Sequence, residues 1–456
     1  MKWRGYTSFL FGLIVFLVII PISIQKAKQA QASENREFAF VNVTIIPMDK
    51  ERIIEGQTVI VRDGKINQLG PAFKTSIPEG AERIDGKGKY LIPGLVDMHV
   101  HLKDIDDNEM SALLQLYVVN GVTTVLNLSG IPRHLEIRKK VAEGTLFGPT
   151  IYTSGPYVSS VTGSSPTPEE VERAVIEQKR AGYDIIKIHG DFTREAYRRL
   201  FVIARREGMR VIGHAPRNLG IEAMLEERQD AVAHAEEYIY DKNSTSRDFA
   251  DIEPKIPVIA RATARAGTWV VPNLTAFKNV GLQVADMDAV LHRAEMRYVP
   301  PGIVRLWGSP TNPYSRLGKE QSQKIQARYK VLEKLTKGFR DAGVRLLAGT
   351  DAMNPCVVPG FSLHDELRDL VGAGLTPYEA LRASTSNAAE FLKGDREFGT
   401  IAVGKRADLI LVDGNRLENV AFAQRIEGVM IRGRWLSRPE LQKKLDELVA
   451  SYGRDR

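Results

Sequence analysis

Between residue 94 and about residue 390 the sequence alternates eight times between a short apolar run and a segment of helical periodicity. GLVDMHVHL precedes MSALLQLYVVNG, DIIKIHG precedes REAYRRLFVIARREG, and VRLLAGTDA precedes HDELRDLVGAG, with five further cycles in the same rhythm. Glycine stands just before the next apolar run at Gly121, Gly144, Gly182, Gly208, Gly267 and Gly343, where helices favour a left-handed terminal residue. Eight such cycles predict an α/β fold, a (β/α)8 barrel rather than an open doubly wound sheet. The flanks read differently. AFVNVTIIPM, QTVIVRDGKINQLG and KYLIPG are strand-like, with Asp63-Gly64 marking a hairpin. After TPYEALRASTSNAAEFL the chain returns to strands in GTIAVGKRADLILVDG and GVMIRGRWL. The two β pieces are expected to pair, giving a small domain built from both chain ends. The expected boundaries are 33–93 and 396–437 for the β pieces, 94–395 for the barrel and 438–456 for a charged, exposed terminal helix.

Residues 1–32 form a separate unit. Lys2 and Arg4 precede the apolar run FLFGLIVFLVIIPISI, and Ala30-Gln31-Ala32 offers an A-x-A cleavage site. Sixteen apolar residues are short for a span of about 20, so a cleaved signal peptide is expected, with an uncleaved N-terminal anchor as the alternative. Either places the catalytic part outside the cytoplasm, periplasmic or extracellular, with the membrane touched only through this segment. The net charge is +7, from 63 basic and 56 acidic residues. Four of the basic residues lie in the leader, which leaves 59 against 56 for the rest and gives nucleic-acid binding little support. The single cysteine, Cys356, excludes an internal disulfide and a thiolate zinc site, so a metal would sit on His, Asp, Glu or a modified Lys.

In a barrel of this kind, chemistry gathers at the C-terminal strand ends. Those ends carry His99 and His101 on strand 1, Lys187 on strand 4, His214 on strand 5, His234 on strand 6 and Asp351 on strand 8. Two-residue periodicity turns His99 and His101 to one face, into the mouth. Imidazole and carboxylate together suit zinc or a similar divalent ion. Singly, each has an ordinary reading: a hydrogen-bonded core histidine, a turn-capping aspartate, a salt-bridged lysine. Together at five strand ends they read as one constellation. His189 shares the face of Lys187, and Tyr238 lies four residues after His234, which makes both candidates for substrate contact. His134, His292 and His364 fall in loop or helical stretches and read as structural.

At this point the chain resembles the amidohydrolase superfamily, in the branch of metal-dependent hydrolases related to imidazolonepropionase and prolidase. LIPGLVDMHVHL, IIKIHG, VIGHAP, AVAHAEE, LLAGTDA and GTIAVGKRADLILVDG carry the resemblance, which spans nearly all of residues 37–437. It implies a TIM barrel flanked by a composite β-sandwich and a centre of two divalent metal ions, zinc being the expected ion. Carried over, His99, His101 and Asp351 would bind the buried ion, His214 and His234 the more exposed one. Lys187 would be N6-carboxylated and bridge both. The implied reaction is hydrolysis of a C–N bond in a small amide, cyclic amide or dipeptide-like substrate by a metal-bridging hydroxide, with Asp351 as proton shuttle. RYVPPGIVRLW (297–307) resembles an insertion of poorly characterised members, and the region 276–325 could form a lid or a homo-oligomer contact. Related dipeptidases carry a Gly-Gly-His-Gly-like stretch after strand 3, where SSVTGSSPT stands here, so their substrates do not transfer directly. A lactonase- or phosphotriesterase-like hydrolase on the same centre, and a one-metal deaminase, are the alternatives. A non-catalytic binding protein on the same fold fits less well, because every ligand position is filled.

Overall fold

A computed structural model of the chain describes residues 37–159, 165–240, 251–420 and 425–453. The leader and most of the SSVTG stretch lie outside the described residues.

The two chain ends meet in one sheet. β1 (Phe38–Ile45), β2 (Ile54–Arg62), β3 (Lys65–Pro71), β4 (Glu82–Asp85) and β5 (Lys89–Pro93) come from the N-terminal side. The sheet joins β5 to the late strand Leu409–Asp413 by antiparallel pairs that run from Leu409–Pro93 to Asp413–Lys89. Strands Ile426–Ile431 and Arg434–Ser437 extend it outward. The turn predicted at Asp63-Gly64 links β2 to β3, with both residues at positive φ, as such a tight hairpin requires. Phe38, Phe40, Val59 and Leu91 pack with Leu409, Leu411 and Met430, so residues from both ends share one apolar cluster. The burial of these side chains, more than the backbone ladder, is what selects this register.

The middle of the chain forms parallel strands. β6 (Leu95–Val100), β7 (Val122–Asn127) and β8 (Thr150–Thr153) make one sheet. β9 (Val158–Ser159), β10 (Ile185–His189), β11 (Arg210–Gly213), β12 (Ala231–Ala233) and β13 (Trp269–Val271) make the other. Helices follow these strands where helical periodicity places them, among them Asp107–Val119, Pro168–Ala181, Arg194–Arg206 and Ile256–Ala266. The six glycines expected at helix ends all have positive φ, between 67° and 88°. Single parallel bridges extend the sheets: Ser154 to Ile185, Val270 to Leu346 and Val100 to Ala352. The stretch 344–352, expected as the eighth strand, is extended but makes only such single bridges. It is held to β6 by Met98 N–H to Ala348 O (2.9 Å) and His101 N–H to Ala352 O (3.0 Å).

One expectation changes in detail. The terminal helix, Arg438–Tyr452, is not wholly exposed. Leu441 and Leu448 are buried, and Leu448 packs with Leu113 and Leu116 of the helix Asp107–Val119. The region 276–325 is folded into helices Leu274–Ala285, Met287–Leu291 and Pro301–Trp307 with short tight turns between them. Its Val290, Met296, Ile303 and Trp307 pack with Met353, Cys356 and Val358, which follow Asp351.

Candidate metal centre

The strand ends bring the predicted residues together. His99 is fully buried on β6 and His101 lies just beyond it. Their Nε2 atoms are 3.2 Å apart. Asp351 Oδ1 lies 2.7 Å from His101 Nε2 and 3.3 Å from His99 Nε2. One ligand atom from each of these three residues falls within 4.8 Å of the others, a group able to hold a metal ion. His234, at the end of β12, points Nε2 toward Asp351 Oδ2 at 4.0 Å, and its ring centre is 4.9 Å from that of His99. His214, after β11, has its ring centre 5.0 Å from His234. Lys187, in the middle of β10, is 1% exposed, and its Nζ has no hydrogen-bond partner among the described residues.

Neighbouring groups fix the orientation of these side chains. His99 Nδ1 lies 3.2 Å from Asn273 Oδ1, so Nδ1–H can donate and Nε2 keeps its lone pair. His214 Nδ1 meets Glu237 Oε1 at 2.8 Å, which leaves His214 Nε2 as the free nitrogen. Asp97 accepts from the amides of His99 (3.2 Å) and Thr350 (3.0 Å) and from the Thr350 hydroxyl (2.7 Å), tying β6 to the segment that carries Asp351. The close approach demands glycine at 349, where a Cβ would lie 2.9 Å from His99 N and 2.7 Å from a Val271 methyl. His234, Asn273 and Asp351 all hold positive φ (76°, 55° and 62°). Such conformations are costly for residues other than glycine and gather where the surroundings over-determine them.

The electrostatics favour a cation. Burial keeps His99 and His214 well below the ordinary imidazole value and lowers His234 to about 3, so these rings are neutral. Burial also lowers the Lys187 ammonium to about 8, against the pull of Asp351 and Glu237. Burial alone would raise Asp351, but its close contacts with His99 and His101, among them a hydrogen bond from His101, outweigh it and hold the carboxyl well below its ordinary range. Neutral imidazole nitrogens and a carboxylate facing one point, beside an orphaned buried amine, fit a divalent ion and its ligands.

The secondary candidates separate. His189 is exposed at the end of β10, stacked on Tyr157 (5.8 Å, 17°) and edge-on to His214 (4.5 Å). Tyr238 is a correction. It is buried against Phe339, and its hydroxyl accepts from Thr263, 3.3 Å away. The tight turn Ala235–Ile239 after His234 swings this side chain into the core instead of the mouth. His134 bonds Asn127 at 2.9 Å, His364 bonds Asn120 O at 2.9 Å, and His292 bonds its own helix, as structural histidines do. Sequence reading missed Asp97, Glu237 and Asn273. Asp97 carried a usable signal, since it shares the face of His99 and His101 by two-residue spacing. Asn273 and Glu237 carried none beyond lying near strand ends.

Imidazoles and carboxylates converging at the ends of parallel strands, with a buried lysine beside them, define a metal-dependent hydrolase. Residues 90–436 match the amidohydrolase family, and the chain belongs to it. The imidazolonepropionase of Geobacillus sp. (strain WCH70) is 25% identical over 404 residues, covering 80% of this chain and 86% of that protein. The ochratoxinase of Aspergillus niger is 23% identical over 390 residues, covering 74% and 73%. In structure, bottromycin amidohydrolase shares the fold with a TM-score of 0.73 at 24% identity, over 92% of this chain and 93% of that one.

Proposed function

We propose that this protein hydrolyses a carbon–nitrogen bond in a small amide, cyclic amide or dipeptide-like molecule at a centre of two divalent ions, zinc being the expected metal. The meeting of His99 Nε2, His101 Nε2 and Asp351 Oδ1 within 3.3 Å of one another carries this reading. His99, His101 and Asp351 would hold one ion, His214 and His234 the other, and an N6-carboxylated Lys187 would contact both. The carboxylated form is supported by the buried Nζ, which has no partner among the described residues: a neutral amine can add CO2, and the carbamate replaces a costly buried ammonium with an anion. That lysine also favours two ions over the single ion of a deaminase.

Bound ions supply a water that ionises near neutral pH and an electrophile for the scissile carbonyl. The protein supplies the proton traffic and the geometry. As the water oxygen bonds to the carbonyl carbon, the Asp351 carboxylate takes its proton. Asp351 then delivers that proton to the leaving nitrogen as the C–N bond breaks, with no covalent enzyme intermediate. Asn354 Nδ2 donates to Asp351 Oδ2 and steadies the carboxylate through this exchange. His189, exposed at the end of β10 with its ring against Tyr157 and His214, would meet the substrate.

The fold that goes with this reading is a closed (β/α)8 barrel carrying a composite β-sandwich. The bridges Ser154–Ile185, Val270–Leu346 and Val100–Ala352 support closure, and the β5 pairing with Leu409–Asp413 supports the composite domain. Export across the cytoplasmic membrane rests on residues 1–32 alone. The test is a panel of N-acyl amino acids, dipeptides and cyclic imides set against lactones and phosphotriesters, using zinc-loaded protein. Turnover of amides is expected; turnover confined to esters would overturn the reading.

A further inference from the structure

We propose that Glu366 is a positioning residue that caps a neighbouring helix and thereby frees Asn273 to orient His99. This rests on the reading of His99 as a metal ligand.

The helix Leu274–Ala285 begins immediately after Asn273. A helix start leaves backbone N–H groups without partners, and asparagine at the position before it would ordinarily turn its own side-chain oxygen onto them. Asn273 does not: it makes no side-chain cap. Its Oδ1 lies 3.2 Å from His99 Nδ1, and its Nδ2 donates to Gly349 O at 2.8 Å. The capping oxygen comes from another element. Glu366, on the helix Phe361–Gly372 and 91 residues along the chain, accepts the Thr275 N–H at 2.7 Å.

Glu366 is fully buried, and its Oε1 has no partner among the described residues. Burial raises its carboxyl well above the ordinary range, toward the neutral acid that glutamine resembles in shape and charge. A buried carboxyl is a poor choice for packing alone. Its place is explained by what happens without it: the Thr275 N–H would lose its acceptor, and the side-chain oxygen that ordinarily serves such an amide is that of the residue before the helix, Asn273 Oδ1. His99 Nδ1–H would then lose its acceptor, and with it the constraint that leaves Nε2 unprotonated toward Asp351. Such outer contacts to metal-binding imidazoles are typically worth about 10- to 100-fold in metal affinity.

The experiment measures zinc affinity by chelator competition, with the thermal stability of the metal-free protein followed in parallel. Glu366→Met should weaken zinc binding by about 10- to 100-fold, while Glu366→Gln binds as the parent does. Asn273→Ala should weaken binding alike, and the Glu366→Met/Asn273→Ala double variant no further than Asn273→Ala. If Glu366→Met does not fold, Glu366→Asp, which withdraws the carboxyl from the helix end, takes its place with the same expectation. Unchanged affinity in the Glu366 variant, or a loss that adds in full to that of Asn273→Ala, overturns the proposal. His99→Ala separates the two layers. If it leaves zinc binding intact, the ligand assignment itself fails. If it loses zinc while Glu366→Met and Asn273→Ala do not, only the positioning role fails.

Discussion

The Asp97 carboxylate accepts a 2.7 Å hydrogen bond from the Thr350 hydroxyl, across 253 residues of sequence. Both residues are buried, each beside a residue of the metal-capable group: Thr350 adjoins Asp351, and Asp97 lies two residues from His99. The bond therefore adds a side-chain tie to the backbone bonds Met98–Ala348 and His101–Ala352 that hold strand β6 to the Asp351 loop. Thr350→Val keeps the shape and removes the donor, which leaves a buried carboxylate oxygen short of a partner. Denaturant unfolding should show a loss of about 1–3 kcal/mol, and zinc affinity should fall with it. A variant as stable as the parent would mean that Asp97 is satisfied elsewhere.

Glu237 has a comparable role on the other side of the mouth. With Oε1 2.8 Å from His214 Nδ1 and Oε2 3.2 Å from the Ala215 amide, it holds one ring orientation. Glu237→Gln can present a donor where an acceptor is needed. Zinc affinity should drop about 10- to 100-fold, read by chelator competition. If the affinity is retained, His214 does not bind through Nε2.

Asp351→Asn separates ligation from proton transfer. The amide oxygen can still face the ion, but the side chain can neither take nor return a proton. Metal content should stay near that of the parent while turnover of the best amide falls by about 100- to 10,000-fold. Full activity in this variant would remove Asp351 from the proton path.

His364 gives a pH signature away from the centre. It is buried with Nε2 on Asn120 O, and burial lowers it from the ordinary 6.5 to about 3. The unfolded chain therefore takes up a proton that the folded chain refuses. Stability is undiminished by this group above pH 6.5 and is lost progressively as the pH falls from there toward 3. At pH 5 the loss amounts to about 2 kcal/mol. His364→Gln has no such proton to take up, so the gap in stability between parent and variant should narrow from pH 7 to pH 5. A gap that is constant with pH would show that His364 titrates alike in both states.

The residues aimed into the mouth were legible in the sequence because strand periodicity and chain order fix where they stand. His99, His101, His214, His234 and Asp351 needed only a strand end each, and Lys187 only its place on an apolar strand. Helix ends were legible for the same local reason, as at Gly182, whose φ of 88° follows from a turn no other residue makes as readily. What sequence could not supply depends on through-space neighbours. Asn273 reaches His99 only because a remote glutamate takes over its capping duty, and Tyr238 misses the mouth because of a turn whose direction no spacing encodes. The extended stretch 344–352 was legible as apolar strand-like chain. Its lack of a continuous ladder was not, since the Thr350 N–H is taken by the Asp97 side chain, a neighbour far away in sequence.

The most direct test is metal content per chain, measured by elemental analysis on protein purified with zinc and bicarbonate, for the parent and for Lys187→Met. The parent should hold two ions and gain the mass of one CO2 in the intact chain under non-acidic conditions. Lys187→Met should lack that mass and hold fewer ions, with activity partly restored by small carboxylates such as acetate. A parent with a single ion and an unmodified lysine, or a Lys187→Met variant that keeps two ions and full turnover, would contradict the two-metal centre.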